Sequence, residues 1–156
     1  MGAAEQRLAE LGIVLPSPAA PVANYVPFVR TGQLVVISGQ LCLGQDGTIA
    51  DRHKGKLGAE VSPEAGQEAA RLCAINVLAQ LRAAVGDLDQ VVRCVRLGGF
   101  INAEPTFAAL APVMNGASDL MVAVFGDKGR HARSTIGVAE LPLDAAVEVE
   151  AMFEVR

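Results

Sequence analysis

The stretch from Ser62 to Gly86 has little freedom in what it can become, because both of its ends carry helix signals and its interior is rich in Ala and Leu. Ser62 is a residue type whose hydroxyl caps a helix N-terminus. Pro63 falls where a missing N–H costs least, Glu64 meets the positive end of the helix dipole, and Gly86 can close the far end. Within this span Leu72, Ile75, Leu78, Leu81 and Val85 recur three or four residues apart, which predicts one apolar face over about four turns. Such a helix has to lie on a sheet or on another helix.

The end of the chain supplies the sheet. From Val147 to Val155 the residues alternate, with Val147, Val149, Ala151, Phe153 and Val155 on one face and Glu148, Glu150, Met152 and Glu154 on the other. That is the period of a strand buried on one side. Arg133 to Ala139 reads as the strand before it, with Leu141 to Ala146 as the turn between them. Two further β-rich runs, Tyr25 to Val29 and Leu34 to Gln40, flank Arg30-Thr31-Gly32-Gln33 and predict a hairpin. Before them, Glu5 to Leu11 reads as a short helix ended by Gly12, and the prolines of Leu15 to Pro21 impose an extended lead-in.

Between these ends, Leu41 to Val61 reads as a glycine-rich loop with a short strand near Thr48 to Ala50. Gln90 to Asn102 reads as a strand in which Gly98-Gly99 marks a bulge or a close backbone approach. Pro105 is expected to open a second helix that stops near Asn115-Gly116, and Ser118 to Phe125 a third one. The order is two hairpins around central helices. It predicts one α+β domain over residues 1–156, with helices on one face of a mixed sheet.

Composition narrows the function. Thirteen basic and 17 acidic residues give a net charge of −4, with no basic stripe to follow a phosphate backbone, so nucleic acid is an unexpected partner. No apolar run is long enough to span a bilayer and the N-terminus lacks an apolar targeting core, so a cytoplasmic protein without a membrane partner is expected. The 51% hydrophobic content comes from Ala and Val rather than from aromatics. A core of small side chains leaves apolar surface over, which predicts a homo-oligomer. Cys42, Cys73 and Cys94 are too widely spaced for a disulfide framework or a zinc site, and His53 and His131 have no ligand-spaced neighbours, so no metal is expected. Neither the phosphate-binding Gly-x-x-x-x-Gly-Lys pattern nor Gly-x-Ser-x-Gly occurs.

Polar residues in strand-like apolar surroundings remain as candidates for chemistry. Arg133, at a strand start, can offer a planar fork to a carboxylate, or can pair with a surface acid. Glu148 can be a solvated strand residue, or a proton carrier where partial burial raises its pKa. Tyr25, the lone tyrosine, can fill the core or line a ligand.

In order, these residues resemble a family. His131-Ala132-Arg133-Ser134-Thr135-Ile136-Gly137-Val138-Ala139-Glu140-Leu141-Pro142, followed by Val147-Glu148-Val149-Glu150-Ala151, is similar to the C-terminal signature of the Rid family, also called YjgF or L-PSP. Asn24-Tyr25 and Leu34 to Gln40 resemble its paired N-terminal strands. Asn115 to Leu120 and Gly129-Arg130-His131-Ala132-Arg133 resemble its longer-chain subgroup. The likeness runs from about Leu11 to Arg156.

The resemblance implies a chorismate-mutase-like α+β fold, with two main helices on one face of a mixed sheet, assembled as a homotrimer with ligand clefts between subunits. It implies hydrolysis of reactive 2-imino acids and enamines to 2-keto acids and ammonia, without metal or organic cofactor. Carried over residue by residue, Arg133 takes the substrate carboxylate, Glu148 lies near the attacking water, and Tyr25 lines the cleft. Gly39 brings its backbone beside the site, Thr135 stands where many members have cysteine, and Asn115 is the candidate for the cleft asparagine. His131 departs from the usual Pro or Ala two residues before the arginine. Two alternatives stand beside it: a protein that uses the same cleft to bind small carboxylates without turnover, and the RNA cleavage attached to the family's L-PSP name, for which the sequence offers little that RNA could hold.

Overall fold

The computed structural model describes residues 2–18, 20 and 23–156. Ala19 and Pro21 of the expected extended lead-in therefore lie outside the described residues. Three helices, α1 (Ala3–Glu10), α2 (Pro63–Val85) and α3 (Leu110–Phe125), accompany five strands, β1 (Phe28–Thr31), β2 (Leu34–Leu41), β3 (Val91–Asn102), β4 (Ala132–Val138) and β5 (Val147–Val155). The strands form one mixed sheet in the order β1-β2-β5-β3-β4. Helices α2 and α3 pack side by side on one face of it, and α1 packs against α3. Among the described residues no helix is long and apolar enough to cross a membrane.

The expected alternation of β5 is realised: Val147, Val149, Ala151, Phe153 and Val155 are at most 5% exposed, beneath the helices. Burial of each larger apolar side chain of this kind contributes about 1.5–3 kcal/mol. Phe153 also meets Phe125 of α3 edge to face, with ring centroids 6.1 Å apart. The α2 caps are as expected, with the Ser62 hydroxyl accepting from the Ala65 N–H at 3.1 Å. Its buried face is broader than the predicted stripe. Ala69, Ala70, Cys73, Ala74 and Val77 are fully enclosed with Leu78 and Leu81, whereas Leu72, Ile75 and Val85 are half-buried. Small side chains let α2 settle close to the sheet and to α3, so its deepest positions are the smallest ones.

Four local expectations are corrected. The first strand begins at Phe28, so Tyr25 lies in the bend that leads into it. Thr48 to Ala50 is no strand: Gly44 and Thr48 close a turn, and one turn of 3-10 helix follows at Asp51–His53. A single helix replaces the two expected between Pro105 and Phe125, running through Asn115 and Gly116 without a break. A Cβ at Gly116 would stand 2.1 Å from the Gln67 carbonyl oxygen of α2. That glycine serves the contact between helices, not a helix stop.

The fourth correction concerns topology, because β4 and β5 form no hairpin. β4 pairs in parallel with β3, while β5 lies between β2 and β3 and is antiparallel to both. The long α3 makes the crossover that a parallel β3–β4 pair requires and a tight turn cannot make. After β4 the chain crosses the end of β3 through Pro142–Asp144, where Leu143 and Asp144 take left-handed φ values of 58° and 57°. Buried Asn102 anchors this crossing by donating to the Glu140 carboxylate at 2.8 Å and to the Ala145 carbonyl at 3.2 Å. Gly98-Gly99 marks a close approach, with the Met114 sulfur where a Gly99 Cβ would be, while the bulges of β3 fall earlier, between Val91 and Arg96.

Candidate functional site

On α3, Ala111, Asn115 and Ser118 follow one another at helix spacing and share a face. Across from them, Arg133 on the edge strand β4 sits beside Leu97 of β3 and points to the helix side of the sheet. Its guanidinium is held from three directions. Nη1 donates to Asn115 Oδ1 at 2.8 Å and to Ser118 Oγ at 3.0 Å, and Nη2 donates to the Ala111 carbonyl at 3.3 Å. Nε–H and one hydrogen of Nη2 have no partner among the described residues, so part of the planar fork stays open to an anion.

Ser118 is shared with a second side chain. His131 Nε2 lies 2.8 Å from Ser118 Oγ, and its Nδ1 lies 2.6 Å from the Gly129 carbonyl oxygen. A carbonyl only accepts, so the bond network places the ring proton on Nδ1 and makes Nε2 the acceptor for the Ser118 hydroxyl. Burial lowers the His131 pKa; the Gly129 carbonyl opposes that shift, and the Arg133 charge adds to it. The neutral ring this network requires is thus the favoured one near pH 7. Two residues beyond Arg133 on the same side, the Thr135 hydroxyl is buried without a hydrogen-bond partner. Buried hydroxyls seldom stay unpaired unless something outside the chain pairs them.

Glu148 and Gly39 meet on the other face of the sheet. Glu148 pairs across β3 with Phe100, and its carboxylate lies over Gly39, where a Cβ would stand 1.9 Å from Oε2. Glycine at position 39 is what leaves room for that carboxylate. Val36, Ser38, Gly39, Phe100 and Glu148 line a hollow of about 440 Å³. Half-burial in this hollow raises the Glu148 pKa, and the nearby negative charge of Glu150 raises it further. Tyr25 is 53% exposed, one residue before Val26, whose carbonyl accepts the Ser38 hydroxyl at 2.7 Å. It therefore belongs to the Gly39 side.

The residues read from the sequence thus fall into two groups. Arg133 and Thr135 lie on the helix side at one edge of the sheet, with Asn115 reaching Arg133 from α3, and Gly39, Glu148 and Tyr25 belong to the open face. Side chains of β3 partners alternate strictly between the two faces: Leu97 with Arg133 on one, Phe100 with Glu148 on the other. One chain alone cannot bring Arg133 and Glu148 to the same small molecule. Among the described residues no group of three His, Cys, Asp or Glu could hold a metal ion. The link from His131 through Ser118 to Arg133 escaped the sequence reading, although Asn115 and Ser118 at i and i+3 carried its signal. Dividing the helix at Asn115-Gly116 hid it.

Comparison with known proteins places these residues in context. Residues 5–155 match a family model described as "YjgF/chorismate mutase-like, putative endoribonuclease". Protein TCP17 of Trypanosoma cruzi is 48% identical over 156 residues, covering 99% of this chain and 96% of that protein. The crystal structure of Atu1372 from Agrobacterium tumefaciens is 44% identical and superposes with a TM-score of 0.90 over 99% of this chain and 94% of that one. TdcF of E. coli, solved with bound serine, is 26% identical with a TM-score of 0.63, over 92% of this chain and 95% of that one.

Proposed function

The chain belongs to the YjgF/chorismate mutase-like family, the Rid family of the sequence resemblance, and from that premise we propose that it is a homotrimeric deaminase of reactive 2-imino acids and enamines. Its ligand clefts lie between subunits. One copy supplies the Arg133, Thr135 and Asn115 face, and its neighbour supplies Gly39, Glu148 and Tyr25. The observation that carries this reading is an arginine already held by three bonds yet keeping donors open, with the acidic residue out of its reach on the opposite face. The family's trimeric clefts resolve that separation, because a neighbour's open face can meet this chain's edge strand. The serine bound to TdcF, a small molecule with a carboxylate beside a nitrogen, supports the ligand class.

In this mechanism Arg133 binds the carboxylate and Thr135 offers its unpaired hydroxyl to the ligand. Tyr25 and the main chain at Gly39 close the cleft around it, and Asn115 keeps Arg133 in place. Glu148, as the carboxylate, accepts a proton from water while the water oxygen bonds to the C=N carbon and the π pair moves to nitrogen. Glu148 passes that proton to nitrogen, giving the carbinolamine, then moves the hydroxyl proton to the amine; an oxygen electron pair forms the C=O bond as the C–N bond breaks, and ammonia leaves a 2-keto acid. Water is the co-reactant and no redox change occurs. The raised pKa makes the Glu148 carboxylate a stronger base toward water than an ordinary glutamate, which suits the first of these transfers.

The test is a coupled assay in which an amino-acid oxidase generates 2-imino acids and semicarbazide competes for them. Wild type is expected to suppress semicarbazone formation, and Arg133→Ala to lose at least 100-fold in kcat/KM, on the order expected when a positioning clamp is removed. Suppression by neither, with pyruvate still bound by wild type, would make the protein a carboxylate binder. RNA cleavage that vanishes in Arg133→Ala would support the activity in the family's description instead. The net charge of −4 does not favour RNA as a ligand.

A further inference from the structure

The guanidinium of Arg133 depends on a directional relay of hydrogen bonds behind it. Ser118 Oγ has one hydrogen and must accept from Arg133 Nη1, so its hydrogen has to go elsewhere. His131 Nε2, 2.8 Å away, takes it. The imidazole is oriented in turn by its Nδ1–H on the Gly129 carbonyl at 2.6 Å. That carbonyl belongs to backbone pressed against α3, since a Cβ at Gly129 would stand 2.1 Å from the Met121 carbonyl oxygen. Each bond in the series sets the donor and acceptor roles of the next.

We propose that His131, acting through Ser118, is a positioning residue that fixes Arg133 with its open donors toward the ligand carboxylate. The proposal rests on the reading that Arg133 binds a carboxylate. His131 touches no reacting atom in this role. Its ring keeps the Ser118 hydroxyl hydrogen turned away from the guanidinium, leaving an oxygen lone pair for Nη1. Without that acceptor the hydroxyl can rotate, Nη1 loses one of its two partners, and the arginine samples other orientations before ligand arrives. The same geometry argues against Ser118 as a nucleophile, because its oxygen lies on the α3 side of the guanidinium and is engaged by both neighbours. A histidine two residues before the arginine, where the resemblance leads one to expect Pro or Ala, thereby acquires a function.

The experiment measures binding of pyruvate and of serine to the assembled protein by titration calorimetry, together with kcat and KM in the imino-acid assay. Ser118→Ala and His131→Ala are each expected to weaken binding and raise KM about tenfold with kcat within about threefold, since they loosen a ligand contact without touching the reacting atoms. The double variant is expected to be no weaker than either single one, because the two side chains act in series. His131→Gln is expected to return binding to within about twofold of wild type, its amide oxygen accepting from Ser118. If His131→Ala does not fold, Ser118→Ala and His131→Gln carry the test.

Wild-type binding in both single variants, additive losses in the double variant, a fall in kcat at constant KM, or labelling of Ser118 by a fluorophosphonate would overturn the proposal. The two readings fail differently. If Arg133→Ala still binds pyruvate like wild type, or if wild type binds neither probe, the carboxylate reading fails and this one with it. If Arg133→Ala loses binding while the Ser118 and His131 variants keep it, only the relay is wrong.

Discussion

At the scale of single residues, the site's electrostatics come from what each group is buried against. Glu148 is held above the ordinary glutamate range first by burial and then by Glu150. The proton-acceptor role proposed for it requires the ionised form, so kcat/KM should rise with pH through this raised pKa. Glu150→Gln removes the smaller cause and should shift that limb toward lower pH, while Glu148→Gln should abolish the limb and lower kcat more than affinity. A limb that stays where it is in Glu148→Gln belongs to another group. Stability gives an independent check with a definite sign. The folded state holds the Glu148 proton more tightly than the unfolded chain does, so this group's contribution is fully present below the unfolded pKa and is lost as pH rises through the folded one. Glu148→Gln should therefore be more stable than wild type at pH 8, with the difference closing near pH 4. The strand patterns marked Arg133 and Glu148 as candidates but left a surface ion pair and a solvated strand residue open; their proposed roles come from the family resemblance. Ser118 was missed because the helix was divided at Asn115-Gly116, which hid its i, i+3 relation to Asn115.

Among the elements, α3 carries the Asn115, Ser118 and Ala111 groups that hold Arg133, and its place is fixed by close contact with α2. Gly116 lets the two backbones touch, and Asn115 and Ser118 flank it on the same helix. Gly116→Ala places a methyl group 2.1 Å from the Gln67 carbonyl oxygen, so the helices have to part. A loss of about 2–3 kcal/mol is expected in denaturant unfolding, a usual magnitude for overpacking a close contact. Pyruvate binding should weaken in parallel, because the residues that hold Arg133 move with α3. Unchanged stability would mean that the crossing has slack. A glycine in a helical pattern reads as a stop when seen alone, which is why the sequence divided this helix at Asn115-Gly116. Its actual cause is a contact with a segment 49 positions away, between Gln67 and Gly116. By contrast, both ends of α2 were readable, because caps are local chemistry.

In the whole molecule, the sheet puts the candidate residues Arg133 and Glu148 on opposite faces. The fold class was readable from the alternation of β5 and the order of elements, but the strand order was not. β5 lies between β2 and β3, and β4 runs parallel to β3 at the edge. A last hairpin is the shortest connection the sequence offers; the long α3 crossover and the buried apolar face of β5 favour a central place for that strand instead. This topology puts Arg133 at one edge facing the helices and Glu148 on the open face. In the proposed assembly each cleft combines the Arg133 face of one copy with the Glu148 face of the next. Mixing Arg133→Ala and Glu148→Gln chains, each inactive alone, and letting them reassemble is the most direct test. With random exchange in a cyclic trimer, about one cleft in four receives Arg133 from one chain and Glu148 from its neighbour, so imine hydrolysis should return to roughly a quarter of wild type. A mixture that exchanges subunits, as shown by mass spectrometry, yet stays inactive would mean that no cleft is shared between copies in this way.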